Sequence, residues 1–337
     1  MKIINDFPMS KITTLEIGGP AKEFVTVRTE GELIEATKFA KENSLDFLVI
    51  GGGSNLLVSD EGIDKLIIKN EVSGIQLTNG NTPGVESEVS SGSHTGSEHV
   101  LTVKSGTPLQ ELVDFTISHG LSGLQKLTGI PGTVGGAIYG AAGAYGQEII
   151  DHLIEVKVLN PGVIASEAKQ SNKIMFLTKE QCGFDYRDSS FKRNGLIILE
   201  VTFQLEKGDP EKLRKEADEI LEKRLTKYPK GIKCPGSFFK NIVAETLPEE
   251  ILDKVPPEKI AYGKIPAGAL LEEVGAKGDK LDGIEIASYH ANLFINKGNG
   301  KASDFYNLAK KYWKKVKEKY DISLEPEVQL INLLPFS

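Results

Sequence analysis

Residues 47–55 read Phe47-Leu48-Val49-Ile50-Gly51-Gly52-Gly53-Ser54-Asn55, a four-residue apolar run that stops at three glycines and two small polar residues. A short apolar run bounded by glycine reads as a buried strand followed by a loop. Just upstream, Glu32 to Asn43 carries Leu33, Ala36 and Ala40 at helical spacing, with Ile34 and Phe39 beside them. The local order is helix, strand, glycine loop. Consecutive N–H groups without side chains in the way suit a pyrophosphate, although a plain glycine turn has the same composition. The loop is not G-x-G-x-x-G, and no G-x-x-x-x-G-K-[ST] occurs in the chain, so neither a Rossmann dinucleotide site nor a P-loop is supported.

Outward from this loop, Leu56-Leu57-Val58 and Leu66-Ile67-Ile68 read as strands, and Glu71 to Ser97 as turns between short strands. In Thr107-Pro108-Leu109-Gln110, a threonine cap, a proline at the first helical position and a glutamine three residues after the cap predict a helix that closes at Gly120. A second glycine cluster follows, Ile130-Pro131-Gly132-Thr133-Val134-Gly135-Gly136-Ala137 and Gly140 to Gly146, too rich in glycine to be expected in regular structure. Two such loops about eighty residues apart suggest backbone lying close to one large flat ligand at two places. A flavin dinucleotide is large enough. Tight turns are the alternative.

Leu153 to Leu159 and Leu196 to Leu205 are strand-like, while residues 161–173 look like a surface insertion without function. Asp209-Pro210 opens a charged helix with Leu213, Ala217, Ile220 and Leu221 as its apolar stripe, placing a joint near residue 206. The last third holds a glycine-rich stretch from Ala267 to Gly283, a strand-like Leu293-Phe294-Ile295, and a long helix from a Ser303 cap through Leu308, Tyr312, Val316 and Tyr320. Leu324 to Ile331 ends in a strand-like half, and no internal repeat is visible.

The 337 residues, 39% of them hydrophobic, suffice for two or three domains. A net charge of -7 argues against nucleic acid as a partner. No run of ~18 apolar residues occurs, and MKIINDFPMS lacks a signal-peptide core, so a cytoplasmic chain with no membrane partner is expected. Two cysteines, Cys182 and Cys234, make neither a disulfide framework nor a four-ligand zinc site. The five histidines, His94, His99, His119, His152 and His290, suggest no metal site.

Three further segments carry candidate chemistry. Lys223 to Lys240 holds Lys223, Arg224, Lys227, Lys230, Lys233 and Lys240 with no acidic residue, which suits a phosphorylated small ligand or simply a solvated face. Inside it, Gly236-Ser237-Phe238-Phe239-Lys240-Asn241 is not a G-x-S-x-G elbow, since Phe239 takes the last glycine's place. Tyr186-Arg187-Asp188-Ser189 offers a planar guanidinium suited to a carboxylate, or an ordinary Arg–Asp surface pair. Glu327, in a strand-like stretch, is either a partly buried carboxyl with a raised pKa or an exposed edge glutamate.

Thr13 to Ala21, Gly51 to Asn55, Gly129 to Tyr145, Tyr186 to Ser189, Gly236 to Asn241 and Glu325 to Val328 stand in the order seen in UDP-N-acetylenolpyruvoylglucosamine reductase. The chain resembles that family from about residue 10 to residue 332. Fifty residues from Arg187 to Ser237 match its shorter variety, which lacks an extra substrate-covering loop. Ile12 and Ala141 stand where the family usually has asparagine.

The resemblance implies an α+β fold: a two-subdomain FAD-binding region of the vanillyl-alcohol oxidase (PCMH) type, residues 1–70 and 71–205, and a C-terminal α+β substrate-binding domain, residues 206–324. The C-terminal strand, residues 325–337, is expected to return to the first subdomain. The implied activity is reduction by NADPH, through non-covalently bound FAD, of UDP-N-acetylglucosamine enolpyruvate to UDP-N-acetylmuramate for peptidoglycan. Hydride from flavin N5 would add to the terminal enolpyruvyl carbon. By the resemblance Ser237 donates the proton, and Arg187 and Glu327 stabilise the enolate, Glu327 as a protonated hydrogen-bond donor.

Gly51, Gly52, Gly53, Ser54, Asn55 and Leu56 would hold FAD together with Pro131, Gly132, Thr133, Gly135, Gly136 and Ala137. Lys227 and Asn241 match positions near the substrate diphosphate, with Tyr186 and His290 at the same site. A monomer with no metal is expected. Two other readings are a non-catalytic flavin- or nucleotide-binding homologue, which only Ala141 favours, and a flavin oxidase of the same superfamily. The oxidase would often carry a histidine for covalent FAD in the first glycine loop, and Gly51 to Asn55 has none.

Overall fold

A computed structural model describes residues 1–79, 99–163 and 174–336. The first third of the chain forms β1 (Ile4–Pro8), β2 (Pro20–Val27), α1 (Glu30–Glu42), β3 (Phe47–Ile50), β4 (Leu56–Val58), β5 (Ile63–Asn70), β6 (Ile75–Asn79) and β7 (His99–Lys104). Then come α2 (Leu109–Ser118), β8 (Leu121–Ser122), α3 (Val134–Tyr139), β9 (Gly143–Ala144), β10 (Gln147–Glu148), β11 (Leu153–Leu159), β12 (Ile174–Thr178), α4 (Phe191–Asn194) and β13 (Ile197–Lys207). The remainder forms α5 (Pro210–Lys227), β14 (Ile242–Val243), α6 (Glu249–Leu252), β15 (Lys264–Ile265), α7 (Ala267–Glu273), β16 (Lys280–Leu281), β17 (Ile284–Ile286), β18 (Phe294–Asn296), α8 (Ala302–Tyr320) and β19 (Gln329–Ile331). Of the expected surface insertion, residues 164–173 lie outside the described residues, as do residues 80–98 with His94.

The chain divides into two compact units, and the division passes through β2, β5 and the first glycine loop. One unit comprises Met1–Ile3, Phe24–Gly52 and Lys65–Thr226. In it, Thr29 caps α1 by accepting from the Glu32 N–H while Glu32 accepts from the Thr29 N–H, a capping box that sets where the helix begins. The apolar stripe of α1, Leu33, Ala36 and Ala40, packs on Val25, Val27, Leu66 and Ile68, and β3 lies parallel to β5. Glu30 at the start of α1 accepts from Lys104 at 3.0 Å and Lys157 at 2.7 Å, tying the helix to the sheet.

That sheet has the antiparallel order β12-β11-β13-β7-β6, with β8 also on β13. Leu101 and Val103 of β7 and Val156 and Val158 of β11 point into its core, whereas β13 in the middle is buried along most of its length. Leu213 and Ala217 of α5 belong to the same core, so this unit continues past the joint read at residue 206, up to Thr226.

Two helix expectations need correction. α2 begins at Leu109 with Pro108 as its uncapped N-cap residue, because the Thr107 hydroxyl bonds instead to the Gly74 N–H and carbonyl. The glycine-dense stretch is not irregular: it contains α3, whose Thr133 hydroxyl accepts from the Gly136 N–H, and the tight β9–β10 hairpin.

The second unit comprises Ile4–Glu23, Gly53–Asp64 and Lys227–Ser337. Its core gathers Phe238, Phe239, Phe294 and Phe305 with Leu308, Tyr312 and Val316 of α8. β19 returns to lie parallel to β4, pairing Gln329 with Leu56 and Ile331 with Val58. Ser303 is not the cap of α8. The Asp60 carboxylate, far away in sequence, accepts from the Ala302 N–H at 2.8 Å and the Ser303 N–H at 2.9 Å and satisfies the first turn.

Candidate active site

Within the first unit the two glycine clusters meet. A Cβ on Gly51 would strike the Thr133 hydroxyl, and one on Gly52 would lie 2.8 Å from the Gly132 Cα. Real Cβ atoms do not approach that closely, so glycine is required for the two turns to touch. Gly135 is tied to the sheet in the same way: its N–H donates to the Ser105 carbonyl at 2.8 Å, and a Cβ there would lie 2.8 Å from that of Ser105. Pro131, Gly52 and Gly136 are exposed, whereas Thr133 and Ala137 are buried beneath them. The result is a shallow wall of bare backbone, suited to the flat face and anionic linker of a dinucleotide.

The same unit holds the Tyr186-Arg187 turn, closed by reciprocal hydrogen bonds between Asp185 and Asp188 of 3.0 and 3.1 Å. Arg187 has a left-handed φ of 55°, which costs a non-glycine residue about 1–2 kcal/mol. Its guanidinium donates to the carbonyls of Ala141 at 3.0 Å and Gly143 at 2.5 Å and lies 3.8 Å from the Glu148 carboxylate. Its own carbonyl accepts from Lys192 at 2.6 Å, and the cation stands 5.2 Å from the Tyr186 ring. Ala141 is itself left-handed, with φ 44°, a conformation that asparagine tolerates better than alanine. Although burial pulls the Asp188 carboxyl upward, Arg193 and Lys192 hold it below its ordinary value, so it stays charged.

In the second unit, Gly53 continues the first loop with φ 64° against the Ile12 carbonyl, and the Thr14 N–H donates to the Gly53 carbonyl at 3.2 Å. Asn55 turns toward the C-terminal segment. Its amide donates to the Glu327 carbonyl at 3.0 Å, and its own carbonyl accepts from the Gln329 N–H at 2.9 Å. Leu56 opens β4.

Ser237 sits on a strap clamped on both sides. The Phe238 N–H donates to the Asn292 carbonyl, and the Phe239 N–H to the side chain of the same buried asparagine. On the other side the Phe238 carbonyl accepts from the Glu327 N–H at 2.8 Å, and the Lys240 N–H donates to the Glu325 carbonyl at 2.9 Å. Glu327 lies in a bend before β19 rather than in a strand, half-buried. The Ser237 hydroxyl is 3.1 Å from the Tyr228 hydroxyl and 3.5 Å from the Lys227 ammonium. Asn241 accepts from the Ala267 N–H at 3.2 Å. Burial, with Lys227 and Lys277 nearby, pushes His290 down to about 4, so it is neutral near pH 7. Its Nδ1 accepts from the Asn292 N–H, which leaves the ring proton on Nε2.

Thus one unit joins Ser237, Glu327, Lys227, Asn241 and His290, and the other joins Arg187, Tyr186 and the meeting point of the glycine turns. Tyr228 and Asn292 were not singled out from sequence. Tyr228 adjoins a candidate lysine, and Asn292 stands two residues beyond His290. Among the described residues no group of three His, Cys, Asp or Glu side chains is placed to hold a metal ion, and no helix is long and apolar enough to cross a membrane.

Residues 21–162 match the family described as FAD binding domain, and residues 228–331 match that described as UDP-N-acetylenolpyruvoylglucosamine reductase, C-terminal domain. With the glycine wall, the first match defines the class: an FAD-dependent oxidoreductase of α+β fold, as the resemblance implied. A UDP-N-acetylenolpyruvoylglucosamine reductase of Solibacter usitatus is 36% identical over 96% of this chain and 95% of its own length. One of Alkaliphilus metalliredigens is 34% identical over 96% and 92%. The crystal structure of UDP-N-acetylenolpyruvylglucosamine reductase from Thermus caldophilus aligns over 98% of both chains at 29% identity with a TM-score of 0.69. The chain belongs to the UDP-N-acetylenolpyruvoylglucosamine reductase family.

Proposed function

We propose that this chain reduces the enolpyruvyl ether of UDP-N-acetylglucosamine to UDP-N-acetylmuramate, a step of peptidoglycan synthesis, with NADPH as the reductant and as a monomer in the cytoplasm. Residues 1–70 and 71–205 would serve FAD and residues 206–324 the substrate, with the C-terminal segment, through β19, completing the first part. The observation that carries the reading is the clamped strap: three backbone hydrogen bonds fix Ser237 beside a lysine and next to the Glu327 segment.

Bound FAD, resting on Gly51, Gly52 and Pro131 to Ala137 with Gly53 to Leu56 continuing the loop, would supply the hydride. Negative charge then develops on the neighbouring carbon and its carboxylate, and that charge needs partners already in place. Arg187 supplies a permanent cation on a turn whose atoms have little freedom. Glu327 serves in its protonated form as a hydrogen-bond donor, since an ionised carboxylate would repel the enolate. Ser237 gives its hydroxyl proton to the carbon. Lys227 and Asn241 hold the diphosphate, Tyr186 serves the substrate from its own turn, and His290, neutral and protonated on Nε2, donates a hydrogen bond rather than a charge.

The test is an anaerobic visible spectrum of the holoenzyme. NADPH is expected to bleach the flavin band, and UDP-N-acetylglucosamine enolpyruvate to restore it. A band that never bleaches, or returns only with air, would move the assignment to a binding protein or an oxidase.

A further inference from the structure

The proton that Ser237 is asked to give raises a chemical difficulty. An aliphatic hydroxyl is a very weak acid, and giving up its proton leaves an alkoxide in a half-buried place. Something beside Ser237 must keep its proton aimed at the substrate and must relieve the oxygen as the proton leaves. Among the described residues two groups lie within reach of that oxygen, Lys227 at 3.5 Å and Tyr228 at 3.1 Å.

A serine hydroxyl has one proton to give and two lone pairs to accept with. Lys227, an ammonium, can only donate, so it occupies one lone pair. The tyrosine can act either way. If Ser237 donated to Tyr228, its proton would be turned from the substrate. If Tyr228 donates to Ser237, both lone pairs are filled and the serine proton is left to the remaining direction. A phenol, with an ordinary pKa near 10, also carries a far more acidic proton than serine.

We infer that Tyr228 is a positioning residue for the proton donor: its phenol donates to Ser237 and refills that oxygen during the transfer. This rests on the reading of Ser237 given under Proposed function. As the C–H bond forms with the Ser237 proton, the Tyr228 proton passes to the serine oxygen and remakes its O–H bond. The negative charge that was on carbon ends on the phenolate and is then removed by a proton from water. Lys227, whose ammonium lies 5.2 Å from the Tyr228 ring centre, stands where that transient charge appears. Tyr289 donates to the Lys227 carbonyl at 3.3 Å and fixes the backbone at the base of both side chains.

The test uses the holoenzyme and the two half-reactions, followed separately by stopped flow. Tyr228→Phe keeps the ring and removes one oxygen. Flavin bleaching by NADPH reports that the variant is folded and loaded. Its reoxidation by the enolpyruvyl substrate is expected to slow about 10- to 100-fold, the worth of a hydrogen bond to a charged group. The solvent deuterium effect on that step is expected to rise, a change that a merely structural role would not produce. Ser237→Ala alone tests the underlying reading, because undiminished reoxidation there removes the donor itself. With Ser237→Ala slow, the double variant Ser237→Ala/Tyr228→Phe is expected to be no slower, since Tyr228 acts only through Ser237. Wild-type reoxidation and an unchanged isotope effect in Tyr228→Phe, or a further loss in the double variant, would overturn the inference.

Discussion

Arg187 and Ser237 sit in opposite kinds of surroundings. The Arg187 guanidinium is gripped by the main-chain carbonyls of Ala141 and Gly143, on a turn held in a left-handed conformation. Ser237 has a fixed backbone, but its hydroxyl faces two rotatable side chains, Lys227 and Tyr228, both of which carry protons. Main-chain carbonyls neither titrate nor move far, so they suit a group whose task is to present one permanent charge at one place. A proton donor needs neighbours that can exchange protons and reorient. The difference teaches which kind of support each chemical role requires.

The largest expected effect comes from removing the fixed charge. Arg187→Ala should leave bleaching by NADPH intact and slow reoxidation by about 10²- to 10³-fold, as loss of a preorganised charge-stabilising group does. Arg187→Lys sharpens the point, because an ammonium cannot reproduce the fork that spans two carbonyls. Lysine should restore little of the lost rate in the same stopped-flow assay. Full recovery would show that charge alone matters and would break the comparison.

Next in size is Gly52→Ala, which puts a Cβ 2.8 Å from the Gly132 Cα. Forcing the two turns apart should cost about 1–3 kcal/mol, read as weaker retention of FAD on dilution, with the second unit's strap undisturbed. Asp60→Ala addresses the other unit. It removes the acceptor for the first turn of α8 and should lower stability by about 1 kcal/mol in thermal melts, with little loss of FAD.

The smallest effect is a pH dependence in the first unit. Burial pulls the Glu30 carboxyl up, but Lys157 and Lys104 donate to it and hold it below its ordinary value. The folded chain thus binds that proton less readily than the unfolded chain. The stabilisation is present above about pH 5 and is lost as pH falls through the lowered folded value. Melts of Glu30→Gln should show a shallower loss of stability over that acid range than the parent chain.

The parts legible in the sequence were those fixed by near neighbours. β3, β4 and β11 follow from apolar runs, and α5 from a start signal and an apolar stripe, although Leu213 and Ala217 of that stripe pack into the core before the expected joint rather than beyond it. What local pattern concealed was decided by distant partners. Thr107 looks like a cap, but Gly74 competes for its hydroxyl. Ser303 looks like a cap, but Asp60 supplies the carboxylate. Glycine density hid α3, because Gly135 and Gly136 lower helix propensity while Thr133 and the neighbouring sheet hold the turn in place. The meeting of Gly52 with Gly132 was suggested only by two clusters in one chain. Tyr228 lies inside the basic segment read from Lys223 to Lys240, but nothing local marks it, since its 3.1 Å contact with Ser237 depends on how the stretch between them folds back.

The most direct test of the account is the rate of each half-reaction in Ser237→Ala. The account predicts that bleaching by NADPH proceeds at the parent rate, while recovery with the enolpyruvyl substrate slows about 10²-fold or more, because the proton is required only in that second half. Equal slowing of both halves, or an unchanged recovery, would contradict the role given to Ser237.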